Sequence, residues 1–186
     1  MLYRFLRPII KFLYYILYRP KVEGKKNIPK KGGVVIASNH KNNFDCISII
    51  ATNYRTVNFL AKKELLEGKF AWLFRGMRII PVERKTKDHT ALPTAIKELN
   101  EGAVIGIFPE GTFNRTDEPV MDFKIGAVKM AHDTDSYIVP CALIGSYKLF
   151  KKRFIVRYGE PYKVKSDDLD KENKILRKKV TDLLLK

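Results

Sequence analysis

Cysteine is scarce in this chain: Cys46 and Cys141 are the only two, and they lie far apart. That excludes a disulfide framework, and no Cys and His stand at metal-ligand spacing. A reducing, cytosolic environment fits. Acidic residues are few beside basic ones, 20 against 36, which leaves a formal charge of +16. So basic a surface seeks polyanions: nucleic acid, anionic lipid or phosphorylated substrates. Long hydrophobic runs are also missing. In residues 1–19 the apolar and aromatic side chains are interrupted by Arg4, Arg7 and Lys11. The uncharged run Phe12–Tyr18 is far short of the ~20 residues that a membrane span needs. No small-residue cleavage site follows it, which argues against a secretory signal. There is no Gly-x-Ser-x-Gly nucleophile elbow, since Gly145-Ser146 lacks its flanks. Nor is there a nucleic-acid-binding signature, an internal repeat or a low-complexity segment. Asp167-Asp168-x-Asp170 lacks the other ligands of a calcium loop and reads as a helix N-terminus.

What is present supports one folded domain: 186 residues, 45% of them hydrophobic. Strand patterns fall at 34–38, 56–61, 77–82, 103–108, 138–144 and 154–158, and helical patterns at 46–51, 64–74, 88–100, 124–132 and 169–185. Pro81 marks an edge or a strand end. Gly102 marks a helix end, and 24–33 reads as a basic, turn-rich connector. Strands alternating with helices give an α/β fold, a single domain with a central mostly parallel or mixed sheet covered by helices. Residues 1–22 form an N-terminal amphipathic segment. Its four tyrosines and basic flanks suit a helix lying in the headgroup layer rather than one packed into the core. Residues 23–186 form the remaining domain.

The chain is organised around Val34-Val35-Ile36-Ala37-Ser38-Asn39-His40-Lys41-Asn42-Asn43-Phe44-Asp45. A buried strand runs into a polar turn holding a histidine and an aspartate, followed by a helix. The end of a strand in such a sheet is where α/β folds place chemistry. A histidine takes a proton near neutral pH, and a carboxylate fixes its tautomer. Alone, the pair reads more readily as a turn histidine beside a first-turn acid. A second polar turn after a second apolar strand, Phe108-Pro109-Glu110-Gly111-Thr112, favours the catalytic reading.

Together, Asn39-His40-x4-Asp45 and Phe108-Pro109-Glu110-Gly111-Thr112 resemble the glycerolipid acyltransferases, specifically the 1-acylglycerol-3-phosphate acyltransferase family. Arg78-Ile79-Ile80-Pro81-Val82-Glu83-Arg84, Phe59–Leu65 and Tyr137–Ala142 are similar to further blocks of that family. The resemblance spans about residues 20–160. It implies transfer of a fatty acyl group from a thioester to a glycerol hydroxyl. His40 would be the general base and Asp45 its orienting carboxylate. Lys62, Arg84, Glu110, Gly111, Thr112 and Arg115 would bind substrate, with no metal and no cofactor beyond the acyl-CoA or acyl carrier protein donor. The family most often carries arginine directly after the threonine. Here that position is Phe113, and Arg115 lies two residues later. Backbone amides near Gly111 are expected to hold the oxyanion.

The reading is therefore an acyltransferase that converts 1-acylglycerol 3-phosphate to phosphatidic acid. It would sit on the cytoplasmic face of a membrane, peripheral or monotopic, against an anionic surface and without nucleic acid. Two alternatives stand beside it. One is the same chemistry on another lysophospholipid or glycerol 3-phosphate; the other is a non-catalytic polyanion- or membrane-binding module.

Overall fold

The computed structural model describes residues 2–63, 67, 71, 79–82, 91–150 and 154–186. The helix expected at 64–74 lies almost wholly outside these residues, as do Arg84, Asp88 and His89. Among the described residues eight strands form one mixed sheet: β1 (Lys21–Glu23), β2 (Val34–Ser38), β3 (Val57–Lys62), β4 (Ile79–Val82), β5 (Val104–Ile107), β6 (Tyr137–Ile144), β7 (Ile155–Tyr158) and β8 (Tyr162–Lys163). Their order is β1-β7-β6-β2-β5-β3-β4, with β8 paired to β6. β2 to β6 run parallel, whereas β7 is antiparallel to β6. β4 is the outermost described strand on its side, which accommodates Pro81. The short β1 and β8 fall where the sequence gives no strand signal. Three and two residues are too few to set up a period, and their partners β7 and β6 create them.

Alternation along β2 splits the interior in two. Val34 and Ile36 point into one apolar core, and Val35 and Ala37 into the other. All five residues of β2 are buried, as the unbroken apolar run requires of a strand covered on both faces. The first core is roofed by α1 (Leu2–Tyr18) and α2 (Asp45–Thr52), through Tyr14, Ile49, Ile50 and Ala51. The second is roofed by α3 (Ala91–Asn100), α4 (Gly126–Asp133) and α5 (Leu169–Leu185). In α3 the buried residues Ala91, Ala95 and Leu99 recur every four positions and make one inward stripe. Gly102 stops this helix with φ +82°; its amide bonds Leu99 O, and the Ala103 amide bonds Glu98 O. α5 starts at Asp168, whose carboxylate accepts from the Lys171 amide at 3.0 Å.

α1 has two apolar faces. Tyr14 is buried in the first core and packs edge-on against Tyr15 and tilted against Tyr18. Ile9, Phe12, Leu13 and Ile16 are exposed. The helix is thus part of the core and also presents an apolar surface to solvent. Among the described residues no helix is long and apolar enough to cross a membrane.

The inward stripe of α5 gives a direct test. Leu176→Ala removes a fully buried side chain and should cost about 2–5 kcal/mol. The neighbouring, 36% exposed Ile175 should tolerate alanine within about 0.5 kcal/mol. Urea denaturation of both variants measures the difference.

Candidate active site

β2 and β5 are adjacent and parallel, with Ala37 opposite Ile107, so the two polar turns that follow them leave the same edge of the sheet. Asn39 continues the stitching of β2 to β6 with its side chain. Its Oδ1 accepts from the Leu143 amide at 2.8 Å, and its Nδ2 donates to Leu143 O at 3.0 Å. The chain turns at His40 and re-enters regular structure at Asp45, the first residue of α2.

Asp45 is 3% exposed and His40 19%. Such a carboxylate is tolerable only if donors surround it, and four do. Its Oδ2 accepts from His40 Nδ1 at 2.9 Å, the Lys41 amide at 2.7 Å and the Asn42 amide at 2.8 Å. Its Oδ1 accepts from the Tyr147 hydroxyl at 2.6 Å. An ionised carboxylate can only accept, so the imidazole carries its proton on Nδ1. That leaves Nε2 with a free lone pair, and it has no hydrogen-bond partner among the described residues. The imidazole stacks on Phe108, with centroids 3.9 Å apart and planes 7° apart, and meets Phe113 at 4.4 Å.

The second turn holds the first by its backbone. Glu110 is buried; its Oε1 accepts from the His40 amide at 2.7 Å and its Oε2 from the Met121 amide at 2.8 Å. The Asn114 amide donates to His40 O at 2.7 Å. Both main-chain groups of His40 are therefore fixed by residues 110–114. Asn114 in turn organises its own loop, accepting from the Thr116 amide and hydroxyl and donating to Glu118 O. Gly111 has φ +72°, and a Cβ there would stand 2.8 Å from Lys124 Cε. The glycine admits the Lys124 side chain against the turn.

The expected site residues are distributed as follows. His40 and Asp45 are in contact, and Glu110 braces them from below. Thr112 and Arg115 are exposed on the same loop. Lys62 ends β3, with its backbone opposite Val82 of β4, while Arg84 lies outside the described residues. The Gly111 amide donates to Phe108 O at 3.0 Å and closes the turn, so it does not face a substrate. Among the described residues the amides of Glu110, Thr112 and Phe113 in this turn have no acceptor. Tyr147, Asn114 and Lys124 were not singled out from the sequence. Tyr147 stands three residues beyond the end of β6, at the edge where β2 and β5 also end. That position was its only signal.

Neither thiol is a nucleophile at neutral pH. Burial, and then the Asp45 charge, push Cys46 up to about 11; burial pushes Cys141 up to about 12. Among the described residues no group of side chains is arranged to hold a metal ion.

The fold and the dyad define a class: an α/β protein with a histidine, held by a buried carboxylate, at the edge where its parallel strands end. Residues 19–144 match the family model described as Acyltransferase, and the chain belongs to that family. A 1-acyl-sn-glycerol-3-phosphate acyltransferase of Bacillus subtilis is 33% identical over 166 residues, covering 86% of this chain and 82% of the relative. One from Borreliella burgdorferi is 38% identical over 141 residues, covering 74% of this chain and 56% of the relative. The fold matches the crystal structure of the 1-acyl-sn-glycerophosphate acyltransferase of Thermotoga maritima. The TM-score is 0.76 at 23% identity, over 97% of this chain and 78% of that one.

Glu110 is testable as a brace. In Glu110→Gln one carboxylate oxygen becomes an NH2 that must face a backbone N–H. Losing a hydrogen bond to a charged group should lower stability by about 1.5–3 kcal/mol. Chemical denaturation reads this directly, with the aromatic near-UV signal reporting the Phe108 and Phe113 surroundings.

Proposed function

We propose that the protein transfers a fatty acyl group from a thioester, carried by coenzyme A or acyl carrier protein, to the free hydroxyl of 1-acylglycerol 3-phosphate, producing phosphatidic acid. The observation that carries this reading is the free Nε2 of an imidazole whose Nδ1–H is held by Asp45. The acceptor hydroxyl gives its proton to Nε2 as its oxygen attacks the thioester carbonyl. Asp45 stabilises the imidazolium so formed. The tetrahedral intermediate collapses, expelling the thiolate, and the imidazolium returns the proton to it. The thioester is itself activated, so the chemistry calls for no further cofactor and no acyl-enzyme, in keeping with two high-pKa thiols. The Thr112 and Phe113 amides, which have no acceptor among the described residues, would receive the oxyanion. Phe113 stands where relatives of this family most often carry arginine, and it packs on His40. The grip on the acceptor phosphate then falls to Lys62, Arg84, Arg115 and Lys124, by charge-assisted hydrogen bonds.

The acceptor and product are lipids, and the exposed face of α1 supplies a surface to meet them. Ile9, Phe12, Leu13 and Ile16 reach solvent there, with Lys11 and Arg19 lining the same groove. Leu149 and Phe150, exposed on the β6–β7 segment, are tied to it by the Phe150 amide bonding Leu17 O. Apolar side chains flanked by cations suit a peripheral seat on the anionic, cytoplasmic leaflet.

Two outcomes are expected. His40→Ala should fold and lose about 10²–10⁴-fold in kcat, measured by mass spectrometry of the phosphatidic acid formed from lysophosphatidic acid with either donor. Retention of near-normal turnover would remove His40 as the base. The double variant Phe12→Ser/Ile16→Ser should sediment less with anionic vesicles. Added salt should weaken binding of the unaltered protein without eliminating it, because only the charged part is screened. Unchanged sedimentation would detach the membrane seat from α1.

A further inference from the structure

The free oxygen of the catalytic carboxylate is where a second chain of hydroxyls ends. Tyr147 donates to Asp45 Oδ1 at 2.6 Å. Its oxygen lies 2.8 Å from Ser48 Oγ, and Ser48 Oγ accepts from the Tyr14 hydroxyl at 2.8 Å. Three parts of the chain contribute: α1 gives Tyr14, α2 gives Ser48 and Asp45, and the segment after β6 gives Tyr147. Proton accounting allows one direction into the carboxylate. Asp45 can only accept, so Tyr147 donates to it. The Tyr147 oxygen is then free to accept from Ser48, whose single proton is shared with Phe44 O at 3.0 Å and whose oxygen accepts from Tyr14. Burial first, and then the Asp45 charge, push the Tyr147 phenol well above its ordinary value, and burial does the same for Tyr14. Both remain donors at any working pH.

The rings are wedged as firmly as the hydroxyls. Tyr147 lies 4.3 Å from Phe154, 5.6 Å edge-on from Tyr18 and 5.7 Å from Phe44, measured between centroids. α1 thus grips Tyr147 twice, through the hydroxyl of Tyr14 and the ring of Tyr18. It is also tied to the C-terminal end of α2, where Arg7 Nη2 donates to Asn53 O at 2.6 Å.

We propose that Tyr147 is a positioning residue of the His40–Asp45 dyad, and that the chain Tyr14–Ser48–Tyr147 makes the orientation of Asp45 depend on how helix α1 is seated. With Oδ1 held by Tyr147 and Oδ2 by the two turn amides, the carboxylate cannot rotate about its Cβ–Cγ bond. Nδ1–H therefore has a single acceptor and Nε2 a single direction. Freed at Oδ1, the carboxylate can turn, and the imidazole loses the alignment that proton transfer needs. The inference rests on the reading of His40 as the base.

The experiment compares Tyr147→Phe, Tyr14→Phe and the double variant in the full-length protein, each of which keeps every ring and removes only hydroxyls. His40→Ala is run alongside. With lysophosphatidic acid and a saturating acyl thioester, Tyr147→Phe should lose about 10–100-fold in kcat, the usual weight of a hydrogen bond to a charged group. Its two KM values should stay within about twofold. Tyr14→Phe should show the same signature, smaller, at about 3–10-fold. Acting in series, the two changes should not multiply, so the double variant should be about as active as Tyr147→Phe alone. Tyr14 touches neither dyad member, so its kcat-only loss and the non-additivity are results that loosened packing would not give. Unchanged kcat in Tyr147→Phe, or effects that multiply in the double variant, would overturn the proposal. Should Tyr147→Phe fail to fold, a wild-type kcat in Tyr14→Phe would overturn it equally. An active His40→Ala would instead strike the reading of the base, which keeps the two failures distinct.

Discussion

A carboxylate taken out of water must find donors or lose its charge, and the burial of Asp45 sets that requirement at the centre of this fold. The donors come from four separate groups: the imidazole of His40, the amides of Lys41 and Asn42, and the phenol of Tyr147. Supplying them forces the turn after β2 to curl back over the start of α2. It also forces the segment after β6 to cross the sheet edge and reach α2 from the far side. What results is an imidazole with one tautomer and one direction, produced by satisfying an anion.

Glu110 applies the same constraint one strand away. Its two oxygens take the amides of His40 and Met121, so the loop between β5 and α4 closes onto the turn after β2. Two buried acids at the ends of two neighbouring parallel strands thereby pin both turns. The imidazole is left between Phe108 and Phe113, shielded by rings but open at Nε2.

Much of this was legible in the sequence, for identifiable reasons. Strands covered on both faces read as unbroken apolar runs, which is why β2, β5 and β6 are visible in the chain. α5 is framed by its Asp168 cap and its leucine spacing, and the expected bounds of 169–185 match the helix. His40, Asp45 and Glu110 announce themselves because each lies just past an apolar strand, in a short motif. Tyr147 does not: its partner is 102 residues away, and pairing at that distance leaves no periodic trace. Tyr14 was legible as a membrane-facing aromatic, yet it faces inward. The amphipathic pattern of this helix marks its charged side, but it does not tell an apolar side chain facing the core from one facing lipid. The glycine of the second turn marks where amides crowd, although the Gly111 N–H itself closes the turn onto Phe108 O.

The pairing of β1 with β7 bears on how the protein is made. Arg157 reaches back to Glu23 across 134 residues, and the strand partners are as far apart. At ~5–20 residues per second of synthesis, α1 emerges on the order of ten seconds before the strand that completes its seat. For that interval the core face of the helix, Tyr14 included, can pack against α2 but not against β6, β7 or the segment that carries Tyr147. The seat of α1 is therefore partial until late in synthesis, and Tyr14 can meet Ser48 long before Tyr147 is made. The orientation of the Asp45 carboxylate is then fixed last, when the segment after β6 closes onto a helix pair that is already in place.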